Sequence, residues 1–222
     1  MSNLGSLPQI PAGTTIDIAS NASWLDAFYV QQPGYPSTPT TVLGTLNATT
    51  SVVVNSLANI SVGCLVVGYG ILPGTQVASV NPGTMTMVLN QAAIIDSGAI
   101  VPLSIFGPPL DLSGISFQSQ VREALTSATI LLIASTTNGR MVNGGITGTF
   151  GWNVAPAQLP SWPTGLVAVG SFSGVVDIQA ADNSGQIIDL TVESGPIPLT
   201  VTPGPLLQPS GQLGLMVKVG VP

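Results

Sequence analysis

Residues 24–30 alternate: Trp24, Asp26, Phe28 and Val30 fall on one side, Leu25, Ala27 and Tyr29 on the other. Residues 114–122 repeat the device, with Phe117 and Val121 alternating with Gln118, Gln120 and Arg122. Successive side chains on a strand point to opposite faces, so a period of two marks a half-buried strand. Short apolar or alternating stretches also occupy 14–19, 127–134, 148–154, 166–178, 186–192 and 196–202, with the first strand extending over 24–31. Gly, Pro, Asn and Asp separate most of them. No stretch holds helical periodicity over three turns, and 155–159 has room for one turn only. The pattern predicts an all-β chain.

Turn chemistry points the same way. Asp182-Asn183-Ser184-Gly185 suits a hairpin loop between strands ending near Ala180 and starting at Gln186. Pro73-Gly74 suits a type II turn, whose third residue needs a positive φ. Residues 203–212 are rich in Pro and Gly and are not expected to pair in a sheet. Residues 213–221 are expected to form one more strand, suited to pairing with a neighbouring subunit.

Composition changes the picture from a generic β-domain to a subunit. Only 5% of the 222 residues are charged, against roughly 25% in an ordinary domain, and there is no His. A chain this poor in charge is expected to lie against other subunits rather than stand alone in water. The three cations, Arg122, Arg140 and Lys218, are scattered, and a nucleic-acid surface needs a cluster of them, so no direct nucleic-acid contact is expected. Mean hydropathy is +0.53, yet Gly, Pro, Asn or Ser interrupts every apolar run well short of the roughly 20 residues of a spanning helix. Residues 1–5 have neither a basic nor an apolar region, so no secretory signal is expected.

Candidate chemistry is sparse. Cys64 is the single cysteine and has no His partner that would make it a nucleophile, so it reads as a small buried apolar side chain. Asp177, Asp182 and Asp189 flank the predicted hairpin; turn capping by Asp182 is the simplest reading, with a calcium set including Asn183 the alternative. Asp111 reads as an Asx turn opening a strand. Arg122 precedes Glu123, which suggests either an exposed ion pair or an interface anchor. Trp24 reads as core, Trp152 lies on a strand, and Trp162, between Pro160 and Pro163, falls on a loop. The three rings are a candidate sugar-stacking surface. The candidate contact residues are Trp162, Arg122, Leu213, Leu215 and Val217. No catalytic, cofactor or metal residues are assigned, and the chain reads as a non-enzyme.

Two resemblances follow. Residues 57–63 lead into Gly68-Tyr69-Gly70-Ile71-Leu72-Pro73-Gly74-Thr75-Gln76-Val77, then Thr84-Met85-Thr86-Met87-Val88-Leu89 and Gln91-Ala92-Ala93. This order resembles a small β-module of bacteriophage tail and fibre proteins, with Ile71 to Val77 as its most specific part. Trp24 to Val30, Pro109-Leu110-Asp111-Leu112-Ser113-Gly114, Phe117 to Arg122, Leu131 to Ile133, Ser135 to Gly139, Val175 to Ala180, Ser184 to Leu190 and Ile197 to Thr202 resemble the immunoglobulin-like domain at the start of phage baseplate upper proteins. In that family the turn at Gln32 to Pro36 runs directly into the segment at 107–111. Here about 65 residues separate them.

The resemblances imply an immunoglobulin-like β-sandwich over 10–36 and 107–202, an inserted β-module over 39–106, and a Pro/Gly-rich extension over 203–222. They imply a non-enzymatic virion structural protein, made in the host cytoplasm and assembling into the tail or baseplate of a tailed phage or connecting fibres to it. Its partners would be other virion proteins and copies of itself, with no cofactor. Alternatives are a capsid decoration or head-fibre protein, and a receptor-binding module for a host-surface glycan.

Overall fold

The computed structural model describes residues 4–20, 22–36, 38–160, 162, 172–191, 195–202 and 216–219, of which 96–97 and 216–219 are described by backbone alone. Among the described residues the regular structure is β-strand, apart from four three-residue 3-10 turns, with turns and loops between. It divides into two compact units, Met1–Val30 with Asp111–Val219, and the intervening Gln31–Leu110.

The first unit holds two sheets. One contains β1 (Ile16–Ala19), β9 (Ile115–Arg122), β10 (Ile130–Ser135), β13 (Phe172–Asp182), β14 (Ile187–Asp189) and β15 (Ile197–Thr202). Its order is β1-β15-β13-β9-β10, with β14 also on β13. The other holds β2 (Ala27–Val30), β11 (Met141–Asn143), β12 (Thr149–Trp152) and β16 (Met216–Val219), ordered β11-β12-β2-β16. Lettered in chain order, β1, β2, β9, β10, β11, β12, β13 and β14 with β15 become A, B, C, C′, D, E, F and G. The sheets are then A-G-F-C-C′ and D-E-B, the immunoglobulin-like arrangement with its first strand carried to the G side.

Alternation builds the core between them. On β9, Ile115, Phe117, Ser119 and Val121 are buried while Ser116 and Gln118 are exposed and Gln120 and Arg122 half-buried. On β13, Phe172, Val176, Ile178 and Ala180 are buried. This unit contains no cysteine, so no disulfide ties its sheets. Aromatic rings do so. Phe117 stacks on Phe150 across the sandwich at 4.2 Å and 4°, and Phe150 stacks on Phe28 at 5.1 Å. Trp152 stacks on Trp24 at 4.4 Å, and its Nε1 donates to Ser119 Oγ of the opposite sheet at 2.8 Å. Burying each ring contributes about 1.5–3 kcal/mol, and stacking adds about 0.5–1.5 kcal/mol per pair.

Several predicted elements differ in extent. The strand expected over 24–31 is ladder-paired only over Ala27–Val30, with isolated bridges from Trp24 to Val154 and from Gln31 to Pro109. The strand expected over 186–192 stops at Asp189, because the Asp189 carboxylate accepts from Thr191 N at 2.8 Å and Thr191 Oγ1 at 2.6 Å and bends the chain. Of the strand expected over 213–221, Met216–Val219 is described as β16, parallel to β2 with Val217 opposite Phe28. The predicted strand over 166–178 is described only from Phe172.

The second unit is one sheet of β3 (Thr40–Asn47), β4 (Ser51–Val54), β5 (Leu65–Gly68), β6 (Val77–Asn81), β7 (Thr86–Leu89) and β8 (Asp96–Phe106), ordered β5-β8-β3-β4-β7-β6. Its two ends meet. Leu65 bridges Gln76, Val66 N donates to Thr75 O at 2.9 Å, and Val77 N donates to Cys64 O at 2.9 Å. The sheet therefore closes into a small barrel, which satisfies both edges. Val42, Leu46, Val52, Cys64, Val66, Met87, Leu89 and Leu103 fill it. The Pro73-Gly74 turn forms as expected, with Gly74 at φ +78° and Thr75 N donating to Leu72 O. The buried Gln31 side chain holds the ends of this unit together, donating to Tyr35 O at 3.1 Å and Pro36 O at 2.8 Å and accepting from Gly107 N at 3.1 Å.

Candidate functional site

The contact residues chosen from sequence scatter to different fates. Trp162 is 4% exposed and stacks on Phe172 at 5.2 Å, so its ring belongs to the core of its own chain and not to an exposed loop. Its buried Nε1 has no hydrogen-bond partner among the described residues. Trp24 and Trp152 are buried too, which removes the proposed sugar-stacking surface: each ring packs internally. Arg122 is half-buried, and Nη1 donates to Ser127 O at 2.6 Å and Nη2 to Gln120 Oε1 at 2.8 Å. Those two oxygens, and not the Glu123 carboxylate, are what the guanidinium binds among the described residues. Val217 lies on β16. Leu213 and Leu215 lie outside the described residues.

The acidic residues are turn and sheet residues. Asp182 Oδ1 accepts from Ser184 N at 2.9 Å, Ser184 Oγ at 2.6 Å and Gln186 N at 3.2 Å, closing the predicted hairpin. Asp111 Oδ1 accepts from Ser113 N at 2.8 Å, and bonding to Ser113 holds its pKa below the ordinary value. Asp177 is pushed above the ordinary value by burial and then by the nearby Asp189 charge, against a smaller opposing pull from Arg122. Among the described residues no three His, Cys, Asp or Glu side chains gather as a metal-holding group. Cys64 is fully buried in the barrel core.

On the outward face of the sandwich, Gln118 stands across from Gln179 and Gln120 across from Asp177, with the apolar Val175 and the exposed Ile133 beside them. On the barrel, the outward positions are apolar or uncharged. Ile100, Thr45, Val53 and Thr86 stand in one row across β8, β3, β4 and β7. Pro102 and Leu43 form the next row, and Val67, Ser104 and Thr41 the one beyond. Ile100 is 68% exposed, Val53 52%, Leu43 47% and Val67 43%. The whole unit, residues 31–110, carries one charged side chain, Asp96.

Neighbouring rows make one uncharged patch, in which Thr45, Thr86, Thr41 and Ser104 are set among the apolar Ile100, Val53, Pro102, Leu43 and Val67. Sequence reasoning missed the patch because it did not identify β3 or β8 as strands. The available signal was the alternation of Val42, Gly44 and Leu46 with Thr41, Leu43 and Thr45, which has apolar residues on both faces.

No protein-family model matches the chain, and comparisons with curated proteins and with solved structures return no match either. Among the described residues no helix is long and apolar enough to cross a membrane.

Proposed function

We propose that this chain is a structural subunit of a tailed-phage particle, built into the tail or baseplate or joining fibres to it, and that it works by assembly and not by catalysis. The observation that carries the reading is the uncharged outer face of the barrel, with Ile100, Val53, Leu43 and Val67 exposed in adjacent rows. An obligate subunit interface is large and apolar, and such a face is expensive to leave in water. The low charge of the whole chain supports the same reading, as do the resemblances of residues 57–93 and of the sandwich strands to phage tail and baseplate modules.

Cryo-electron microscopy of the particles tests it. Density for the chain in a ring at the tail or baseplate, with the barrel face covered, supports the proposal. Density on the capsid surface moves the chain to the decoration class. Absence from the particle refutes the virion reading.

A second reading rests on Tyr69, whose ring is 79% exposed on the turn after β5. An exposed ring of this kind suits glycan contact. Saturable binding on a glycan array, lost in Tyr69→Ala, would favour a receptor-binding module.

A further inference from the structure

The larger sheet of the sandwich ends at β10, and among the described residues no strand lies beyond it. Ile130-Leu131-Leu132-Ile133-Ala134 on this strand is an unbroken apolar run, with Ile130 36% and Ile133 41% exposed. An apolar edge strand with open hydrogen-bonding groups is a template for pairing with another chain. The ladder shows which groups those are. Thr136 N donates to Phe117 O of β9 at 2.9 Å. Backbone groups alternate in direction along a strand, so those of Ala134 also face β9, and those of Ile133 and Ser135 face away from it.

The turn that follows β10 folds back onto these groups. Asn138 Nδ2 donates to Ile133 O at 3.1 Å, and Ser135 N donates to Asn138 Oδ1 at 2.9 Å. A carboxamide offers N–H and C=O together, the same pair that a neighbouring strand would offer. Arg140 reinforces the contact: its Nη1 donates to Ile133 O at 3.3 Å and its backbone N to Asn138 Oδ1 at 3.1 Å. Asn138 N donates in turn to Ser135 Oγ at 3.1 Å. Gly139, at φ +73°, reverses the chain between them. Arg140 is one of three cations in the whole chain, and a charged side chain on an edge opposes the approach of a like edge. At the other end of β10 the register shifts between Ile130 and Leu132, and such an irregularity bends an edge out of line.

We infer that Asn138 and Arg140 form an edge guard: they occupy the outward groups of Ile133 and Ser135 and keep the apolar run from pairing with β10 of a second copy. The guard is independent of the assembly reading above, because it closes one edge whichever face joins subunits.

Sedimentation of the full chain at matched concentrations tests it. Asn138→Ala with Arg140→Ala removes the guard and leaves the buried face of β10 as it is. This variant should remain folded by urea unfolding and carry more mass than the parent at every matched concentration. Adding Ile133→Lys, which puts a charge on the exposed side of the same strand, should abolish the gain, whereas Ile100→Lys on the barrel should leave it in place. A folded variant that sediments as the parent does overturns the guard. So does a gain that Ile133→Lys leaves unchanged or that Ile100→Lys abolishes. Should the double variant not fold, Asn138→Ala alone is read by the same results.

Discussion

Leu43 stands directly opposite Pro102 in the barrel wall, in a pair that shares no hydrogen bond. Leu43 N donates to Asn55 Oδ1 at 2.9 Å, and Leu43 O accepts from Asn55 N at 3.1 Å, so both its backbone groups face β4. In a non-hydrogen-bonded antiparallel pair the partner's groups also point away, here towards β5. The β5 ladder starts only at Leu103, opposite Gly68, so the missing N–H of Pro102 breaks no bond of the ladder. The pair is therefore free to present two apolar side chains outward on an intact wall.

Ile100 and Val53, on either side of Thr45 in the next row, give the first prediction. Ile100→Lys and Val53→Lys place a charge on outward positions that contribute little to the core, so both variants should fold with stability within about 0.5 kcal/mol of the parent. Each should lower self-association, read as a drop in mass by sedimentation. Equal assembly in parent and variants would show that this face is not a contact.

Phe117 and Phe150 stack across the sandwich. Phe150→Ala should lower unfolding free energy by about 3–5 kcal/mol. Ser119→Ala removes the acceptor of the buried Trp152 Nε1 and should cost about 1–3 kcal/mol. Urea unfolding measures both, and Ser119→Ala without effect would mean that the sheets are held by ring packing alone.

Gly151 on β12 has no room for a side chain. A Cβ there would run into Asp26 O and lie 2.6 Å from Ala27 Cα, both backbone atoms of the neighbouring chain segment. Gly151→Ala forces β2 and β12 apart and should destabilise by about 1–3 kcal/mol or more. Gly74→Ala, in open space but at φ +78°, tests backbone strain instead and should cost about 1 kcal/mol.

The strands of the sandwich announce themselves because Phe117 and Val121 are flanked by Gln and Arg, giving period two with one dry and one wet face. β8 does not, because Gly98 and Pro102 lie inside it, and a proline within a run argues against a central strand. The chain evades that rule by turning the proline nitrogen to the side where β5 has ended. Trp162 was misread because flanking prolines mark a loop, and nothing local tells that the ring reaches Phe172. The alternation along Thr41 to Leu46 marks one strand of the barrel patch, but its rows arise from registers between strands far apart in sequence.

Asp177 makes stability depend on pH. Its folded pKa lies above the ordinary 3.8, so the folded state holds the proton more tightly than the unfolded state does. Stability from this group is therefore fully present below 3.8 and is lost as pH rises through the raised value. Asp177→Asn should match the parent in acid and become relatively more stable as pH rises towards neutral. Denaturation at a series of pH values checks this, and a constant difference across the series would contradict it.

If the uncharged barrel face joins subunits, sedimentation of the parent chain beside Ile100→Lys over a wide concentration range will separate the two. The parent should form assemblies of several copies and the variant should shift towards single chains. A parent that stays a single chain at the highest concentration, with a variant indistinguishable from it, would show that this face joins nothing.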